Sequence, residues 1–264
     1  MDQLSGNTLD FVVGGFGAGE ATHQPLCKLM EHVSGNPTFY IGSLRRGDCI
    51  TLRRTSPFPL ALDLQARHVA SEISKAVQTF RAARPSPKDV EGQSLQGYNV
   101  RIYGHSFGAA ASMLAAAAYL PNVPRSLFPL APACFRKEGL RLVGRVLFKA
   151  VNDLRMARFH PNTDVRAVMA LRGPGLREYA SNLPRTLAEG WMLTRTDVYL
   201  ALTDELARQK VPVRTAYAER DELFPELRKR PRNMENAIIL EGVTHDVQYY
   251  HRTVVAQLAE HGML

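Results

Sequence analysis

The chain has 264 residues, of which 45% are hydrophobic, and carries a formal charge of +8. This length predicts one α/β domain with an inserted subdomain rather than two equal domains. No stretch reaches the roughly 20 apolar residues that a membrane span requires, and the first residues lack the basic and apolar regions of a signal peptide. We therefore expect a cytoplasmic protein with no membrane span.

The positive charge is spread along the chain rather than gathered in one patch. A short basic run occurs at residues 228–230, and it is not interleaved with aromatic residues. We interpret the charge as solvated surface and expect no nucleic-acid partner, while a specific anionic partner stays open.

The cysteines are Cys27, Cys49 and Cys134. They are odd in number, widely spaced and without a C-x-x-C pattern, which favours reduced thiols over disulfides or a zinc site. We expect neither a metal nor a cofactor.

An apolar run at residues 9–13 predicts the first strand, and the glycine-rich segment 14–19 follows it. The glycines lack the G-x-G-x-x-G spacing and the P-loop pattern, so nucleotide binding is poorly supported. A plain turn is one interpretation. We favour a loop whose backbone N–H groups approach a substrate oxygen, because a serine motif occurs further along.

Helical and strand patterns then alternate along the chain. Apolar residues at helical spacing predict helices at 21–32, 60–81 and 109–120, and a last helix at 246–259. Strands are predicted at 38–41, 98–103, 126–131, 211–216 and 237–240. This alternation indicates a mostly parallel sheet flanked by helices, with ligands bound at the carboxyl ends of its strands.

Residues 134–206 differ from the rest because helical patterns dominate and no convincing strand occurs. We interpret this segment as a helical cap inserted into a core formed by residues 1–133 and 207–264. A cap would lie over the active site.

The segment Gly104-His105-Ser106-Phe107-Gly108 stands between a predicted strand and a predicted helix. A G-x-S-x-G in that position places the serine on a sharp, strained turn that exposes its hydroxyl. The flanking glycines avoid a Cβ where the turn is crowded. The helix directs its N-terminal amides and its positive dipole end towards a developing oxyanion.

A serine hydroxyl is a weak nucleophile and needs a general base oriented by a carboxylate. Three acids, Glu219, Asp221 and Glu222, follow one predicted strand, and His245 follows the last. The order serine, acid, histidine, each just beyond a strand, brings the three side chains to one edge of the sheet.

Two neighbouring residues have structural interpretations. His105, within the serine motif, is expected to be a packing neighbour rather than a second base. Asp246 is interpreted as a charge at the start of the last helix, near its N-terminal dipole, and not as a metal ligand.

Taken in order, these motifs resemble those of the α/β-hydrolase superfamily, of the kind with a helical cap. Residues 104–108 resemble its nucleophile elbow, 221–225 its acid loop and 242–245 its histidine loop. The start of the glycine-rich segment, Gly14-Gly15-Phe16, resembles the oxyanion loop, although Gly14 stands where the family usually has histidine.

The resemblance covers nearly the whole chain and implies the α/β-hydrolase fold. Few residues precede the glycine loop, so the first two strands of the family would be missing or curtailed. Such a smaller sheet could expose an edge and favour a homodimer.

The resemblance also implies the roles of individual residues. Ser106 would be the nucleophile, and His245 the general base and then the general acid. Asp221, which matches the family's acid position, would fix the imidazole tautomer. Backbone N–H groups of Phe16 and Phe107 would form the oxyanion hole.

These roles predict a serine hydrolase that cleaves a small-molecule ester, thioester or related acyl substrate through an acyl-enzyme. Relatives that cleave carbon–carbon bonds, make peracids or act as lyases keep the same triad, so these reactions stay open. A silent small-molecule binding protein of the same fold is the alternative from another class, and its mark would be a broken triad. A nucleic-acid or membrane-surface binder is disfavoured by the scattered charge.

Four apolar residues could line the pocket or belong to the core: Phe16, Phe107, Trp191 and Met192.

Overall fold

A computed structural model describes residues 8–15, 19–42, 60–83, 98–120, 123, 125–133, 139–171, 197–225 and 236–264. Within these ranges the chain forms one six-stranded sheet. Its strands are β1 (Thr8–Val13), β2 (Thr38–Ile41), β3 (Asn99–His105), β4 (Arg125–Leu130), β5 (Thr215–Arg220) and β6 (Ala237–Thr244).

All neighbouring strands pair in parallel, in the order β2-β1-β3-β4-β5-β6. The predicted parallel sheet flanked by helices is therefore confirmed. Because the strands run the same way, their carboxyl ends meet at one edge of the sheet, and the loops after β1, β3, β5 and β6 begin there.

The helices of the described ranges are α1 (Glu20–Ser34), α2 (Leu60–Ala83), α3 (Phe107–Leu114), α4 (Leu140–Phe159), α5 (Thr163–Ala170), α6 (Tyr199–Arg208) and α7 (His251–Glu260). A π-helical turn, Ala115–Tyr119, extends α3, and a 3₁₀ turn, Val247–Tyr250, precedes α7. No helix in the described part of the chain is long and apolar enough to cross a membrane.

The strands separate two hydrophobic layers. In β1, Leu9, Phe11 and Val13 pack with residues of α2, α3 and α6, whereas Val12 packs on the opposite face with α1 and α7. This alternation follows from the two-residue period of a strand. Apolar residues on both faces give the nearly continuous apolar run that predicted β1.

The strand predicted at residues 211–216 is misplaced, because the structure has β5 at Thr215–Arg220. The earlier residues form only an isolated bridge, Leu127 with Val213. Pro212 has no N–H to donate to a ladder. The last two residues of β5, Glu219 and Arg220, are exposed but still belong to the strand. Because they are polar, the sequence pattern did not indicate that the strand extends this far.

The ends of two predicted helices also differ. The helix predicted at 109–120 begins at Phe107 and passes into the π-helical turn at Ala115. The helix predicted at 246–259 starts as a 3₁₀ turn, and its α-helical part begins at His251.

In the described part of the predicted cap, residues 134–206, lie α4, α5 and most of α6. Helix α4 contacts α5, and α6 packs against α3. From α6, Tyr199, Leu202 and Leu206 join the core layer that also contains α2 and α3. The boundaries of the cap stay a prediction.

Candidate active site

Ser106 is the first residue after β3 and has φ 54° and ψ −120°, a left-handed backbone that non-glycine residues rarely adopt. Three backbone hydrogen bonds hold this turn. The Ser106 N–H donates to Leu130 O at 3.0 Å, and its carbonyl accepts from Ala109 at 3.1 Å and Ala133 at 3.2 Å. The surrounding structure therefore maintains a strained serine, as active sites often do.

Close packing explains the glycines on either side of Ser106. A Cβ at Gly104 would lie 2.6 Å from Ala109 Cα, and one at Gly108 would lie 2.5 Å from the carbonyl oxygen of Gly14. Neither position leaves room for a side chain. The elbow thus packs directly against the glycine-rich loop that follows β1.

Ser106, His245 and Asp221 meet at the carboxyl edge of the sheet. His245 Nε2 lies 2.8 Å from Ser106 Oγ, and His245 Nδ1 lies 2.9 Å from Asp221 Oδ2. Each of the three is the first residue after its strand, so the parallel sheet itself brings them together. The exposed fraction is 6% for Ser106, 2% for His245 and 1% for Asp221.

The Asp221 carboxylate is anchored on both oxygens. Oδ1 accepts the N–H groups of Leu223 at 2.9 Å and Phe224 at 2.8 Å, while Oδ2 faces His245. Burial alone would raise the pKa of Asp221. The charge and hydrogen bond of His245 and the two amides outweigh burial, and the pKa lies below its usual value.

His245 experiences the reciprocal effects. Burial would lower the pKa of its imidazole, but the carboxylates of Asp221, Asp246 and Glu222 hold the pKa above its usual value. In the neutral imidazole, an Nδ1–H that donates to Asp221 leaves Nε2 unprotonated and able to accept the hydroxyl proton of Ser106.

The other two acid candidates have different partners. Glu219 Oε2 accepts the N–H of Gly242 at 2.8 Å and lies in an exposed position. Glu222 Oε2 accepts the backbone N–H of His245 at 3.1 Å. Both therefore contact the histidine loop through its backbone, and Asp221 contacts the imidazole.

Two further histidines lie behind the catalytic edge. His105 Nε2 is 2.8 Å from His245 O, and the His105 ring lies between the rings of His245 and His23, at centroid distances of 5.4 and 5.7 Å. Burial lowers the pKa of His105 to about 3 and that of His23 to about 4, so both are neutral at pH 7. His105 contacts the backbone of His245 and not Ser106 Oγ, which agrees with a packing role.

The glycine-rich loop reaches the serine. A Cβ at Gly15 would lie 2.8 Å from Ser106 Cβ, and the N–H of Gly14 donates to Ile41 O at 2.9 Å. Phe16, the predicted oxyanion donor, lies outside the described residues, as do Trp191 and Met192. Phe107 is the first residue of α3, and its ring is buried in the core.

A buried lysine completes the surroundings of the site and was not predicted. Lys149 Nζ, on α4, lies 2.8 Å from Glu222 Oε1, 2.6 Å from Asp246 Oδ2 and 2.9 Å from Asp153 Oδ1. The i,i+4 spacing of Lys149 and Asp153 predicts an ion pair, but a lysine within a helix gives no sign of burial.

Asp246 stands directly before the last helical segment, as predicted, and Lys149 gives it a partner that the sequence did not indicate. The chain turns through a 3₁₀ helix first, and the Asp246 side chain makes no cap hydrogen bond to it. Its carboxylate instead pairs with Lys149, because α4 passes beside the histidine loop.

Among the described residues, no group of three or more His, Cys, Asp or Glu side chains is arranged to hold a metal ion. Burial raises the pKa of the Cys27 thiol to about 12, which makes it an inert structural residue. Cys49 and Cys134 lie outside the described ranges.

A comparison with models of known protein families identifies the family of the chain. The model of the alpha/beta hydrolase family matches residues 23–258. The chain therefore belongs to the alpha/beta hydrolase family, and this membership supports a hydrolase enzyme. Comparison with curated proteins gives no match.

Solved structures resemble the chain over nearly its full length. A lipase-esterase related protein from Clostridium acetobutylicum ATCC 824 has 18% identity and a TM-score of 0.57, covering 98% of this chain and 96% of that one. An esterase from Exiguobacterium antarcticum has 13% identity and a TM-score of 0.59, covering 96% and 91%. The enol-lactonase from Burkholderia xenovorans LB400 has 14% identity and a TM-score of 0.53, covering 97% and 94%. At these identities the similarity is one of fold.

Proposed function

We propose that the protein is a serine hydrolase that cleaves an ester, thioester or related acyl substrate through a Ser106–His245–Asp221 triad. One observation carries this proposal: the continuous hydrogen-bonded chain from Ser106 Oγ through the imidazole to the Asp221 carboxylate. A serine held on a strained turn, with its hydroxyl within hydrogen-bond distance of an imidazole that a carboxylate orients, is arranged for nucleophilic attack.

The proposed reaction has two halves. His245 Nε2 takes the proton of Ser106 as Oγ attacks the acyl carbon, and then delivers that proton to the leaving group. Asp221 stabilises the imidazolium formed in this step and holds its Nδ1–H. Water then attacks the acyl-enzyme with the same base, which releases the acid and restores Ser106.

Backbone amides are proposed to stabilise the oxyanion. Phe107 N–H stands at the start of α3, where unpaired amides and the helix dipole favour negative charge. Phe16 N–H is proposed as the second donor, because Gly15 places its loop beside Ser106. Removing one such donor typically costs about 3 kcal/mol of transition-state stabilisation.

Esters are the first substrates to test, since structural neighbours are described as esterases and an enol-lactonase. A carbon–carbon hydrolase or perhydrolase would use the same triad, and a silent binding protein would keep the fold without turnover. The cytoplasmic location, the homodimer and the lack of a nucleic-acid partner stay predictions from the sequence.

Hydrolysis of p-nitrophenyl esters and acyl thioesters of increasing chain length tests the proposal. We expect turnover by the wild type, and a loss on the order of 10⁴-fold or more in Ser106→Ala and His245→Gln. Added hydrogen peroxide tests the perhydrolase alternative through peracid formation. A folded wild type that binds these substrates without turning them over would favour the silent binding protein.

A further inference from the structure

Helix α4 carries a buried cation whose partners lie next to the triad. Lys149 is 6% exposed at its side chain, and its ammonium contacts carboxylates from three elements: Asp153 on α4 itself, Glu222 in the acid loop and Asp246 in the histidine loop. The ring of Tyr249 lies 5.9 Å from Nζ on a further side. A buried charge held this way is costly to leave unpaired.

Two of these carboxylates are sequence neighbours of triad residues. Glu222 follows Asp221, and Asp246 follows His245. Glu222 makes a double connection, because Oε1 pairs with Lys149 while Oε2 accepts the backbone N–H of His245 at 3.1 Å. The Glu222 side chain therefore connects Lys149 directly to the backbone of His245, so a displacement of Lys149 would also displace that backbone.

A second contact links the same face of α4 to the acid loop. Arg145, one helical turn before Lys149, donates from Nη1 to the carbonyl oxygen of Leu223 at 2.8 Å. The N–H of Leu223 in turn donates to Asp221 Oδ1. Helix α4 thus holds the acid loop at two points, the side chain of Glu222 and the backbone carbonyl of Leu223.

We propose that Lys149 is a positioning residue for the triad, tying α4 to the acid and histidine loops and balancing the carboxylates beside His245. This inference rests on the proposed function of Ser106, His245 and Asp221. It assigns to α4, within the predicted cap, a role in holding the catalytic machinery.

The charges around His245 give the proposal a measurable consequence. The carboxylates of Asp221, Asp246 and Glu222 favour the imidazolium, and the neighbouring His105 is neutral. Because the Lys149 ammonium pairs with Asp246 and Glu222, its positive charge should oppose the imidazolium. The pKa of Lys149 itself is raised: burial disfavours its charge, but Asp246, Glu222 and Asp153 outweigh burial. Lys149 therefore stays charged over the working pH range.

The experiment measures the acid limb of the pH profile of kcat/KM in the wild type and five variants, three that test the proposal and two controls. In Lys149→Met the cation is lost, and we expect the limb to move up by about one pH unit. In Glu222→Gln an anion is lost, and we expect it to move down by a similar amount. Lys149→Arg, which keeps the charge, should restore a profile close to that of the wild type.

Matched controls separate these effects from general changes of charge. Arg155→Met removes an exposed cation from the same helix. Glu219→Gln removes an exposed carboxylate that, like Glu222, accepts a backbone N–H, here from Gly242. Neither control should move the limb. If Lys149→Met does not fold, Glu222→Gln against Glu219→Gln carries the test.

Titration of the His245 imidazole by NMR provides the same readout without turnover. Opposite displacements in Lys149→Met and Glu222→Gln support the proposal, whether or not a good substrate is known. Coincident titrations, displacements in one direction, or equal displacements in the controls overturn it. A wild type that hydrolyses no acyl substrate while His245 still shows the opposite displacements overturns the hydrolase function alone.

Discussion

Replacing Asp221 by asparagine changes one atom of the site and reverses the tautomer of His245. Asp221 Oδ1 accepts the amides of Leu223 and Phe224 at 2.9 and 2.8 Å. The asparagine oxygen will keep these two hydrogen bonds, so its NH₂ group must face His245 Nδ1. An NH₂ group donates, and Nδ1 must then accept, which moves the imidazole proton to Nε2.

The size of the effect follows from that proton. Nε2 lies 2.8 Å from Ser106 Oγ, and once protonated it can no longer accept the hydroxyl proton. We expect kcat to fall on the order of 10⁴-fold, equivalent to about 5.5 kcal/mol of transition-state stabilisation. The fold should be retained, since both amide hydrogen bonds of the acid loop remain.

Steady-state hydrolysis of a p-nitrophenyl ester by Asp221→Asn, beside Glu219→Gln, measures the loss. The control removes a carboxylate from the end of the same strand and leaves the imidazole untouched, so it should retain activity within about threefold of wild type. Activity within tenfold of wild type in folded Asp221→Asn would refute the role of Asp221. A large loss in Glu222→Gln with little loss in Asp221→Asn would transfer that role to Glu222.

Three further predictions concern stability, each checked by urea denaturation. Because Ser106 has φ 54°, Ser106→Gly should be more stable than Ser106→Ala by about 1 kcal/mol, and equal stabilities would contradict backbone strain at the elbow. His23 and His105 have pKa values near 4 and 3 in the folded protein, so the unfolded chain binds more protons as pH falls below its histidine pKa. Their contribution to the free energy of unfolding should fall by about 3 kcal/mol in total between about pH 7.5 and pH 5.5, and His23→Phe should remove about half of that fall. Asp10 pairs with Arg101 at 2.6 and 2.7 Å and is fully buried, so Asp10→Asn should cost about 3 kcal/mol by leaving the guanidinium without its carboxylate, with kcat unchanged.

The elements that the sequence predicts best are the strands whose residues are buried on both faces of the sheet. Strands β1 and β3 lie in the middle of the sheet, where the apolar side chains of Leu9, Phe11, Val12 and Val13 in β1 and of Val100, Ile102 and Tyr103 in β3 are buried. Strand β5 was misplaced because Val211 and Val213 supply apolar character before the ladder begins, while Glu219 and Arg220 extend it into solvent. Local composition does not carry the register of pairing that fixes such ends.

A residue of the site could be predicted when the sequence directly around it carries the signal. Ser106 is marked by its own glycines, and His245 and Asp221 by their positions directly after strands. Lys149 had no such signal, because its burial depends on two loops that lie far along the chain and meet α4 only in the folded protein. The oxyanion donor Phe16 and the pocket residues stay predictions.

Fluorophosphonate labelling followed by intact-mass analysis tests the central claim, that Ser106 is an activated nucleophile, most directly. The probe reacts with a serine whose proton is removed by a base, without requiring knowledge of the natural substrate. We predict one adduct on the wild type and none on Ser106→Ala. Absence of an adduct on folded wild type, or an undiminished adduct on Ser106→Ala, would contradict the claim.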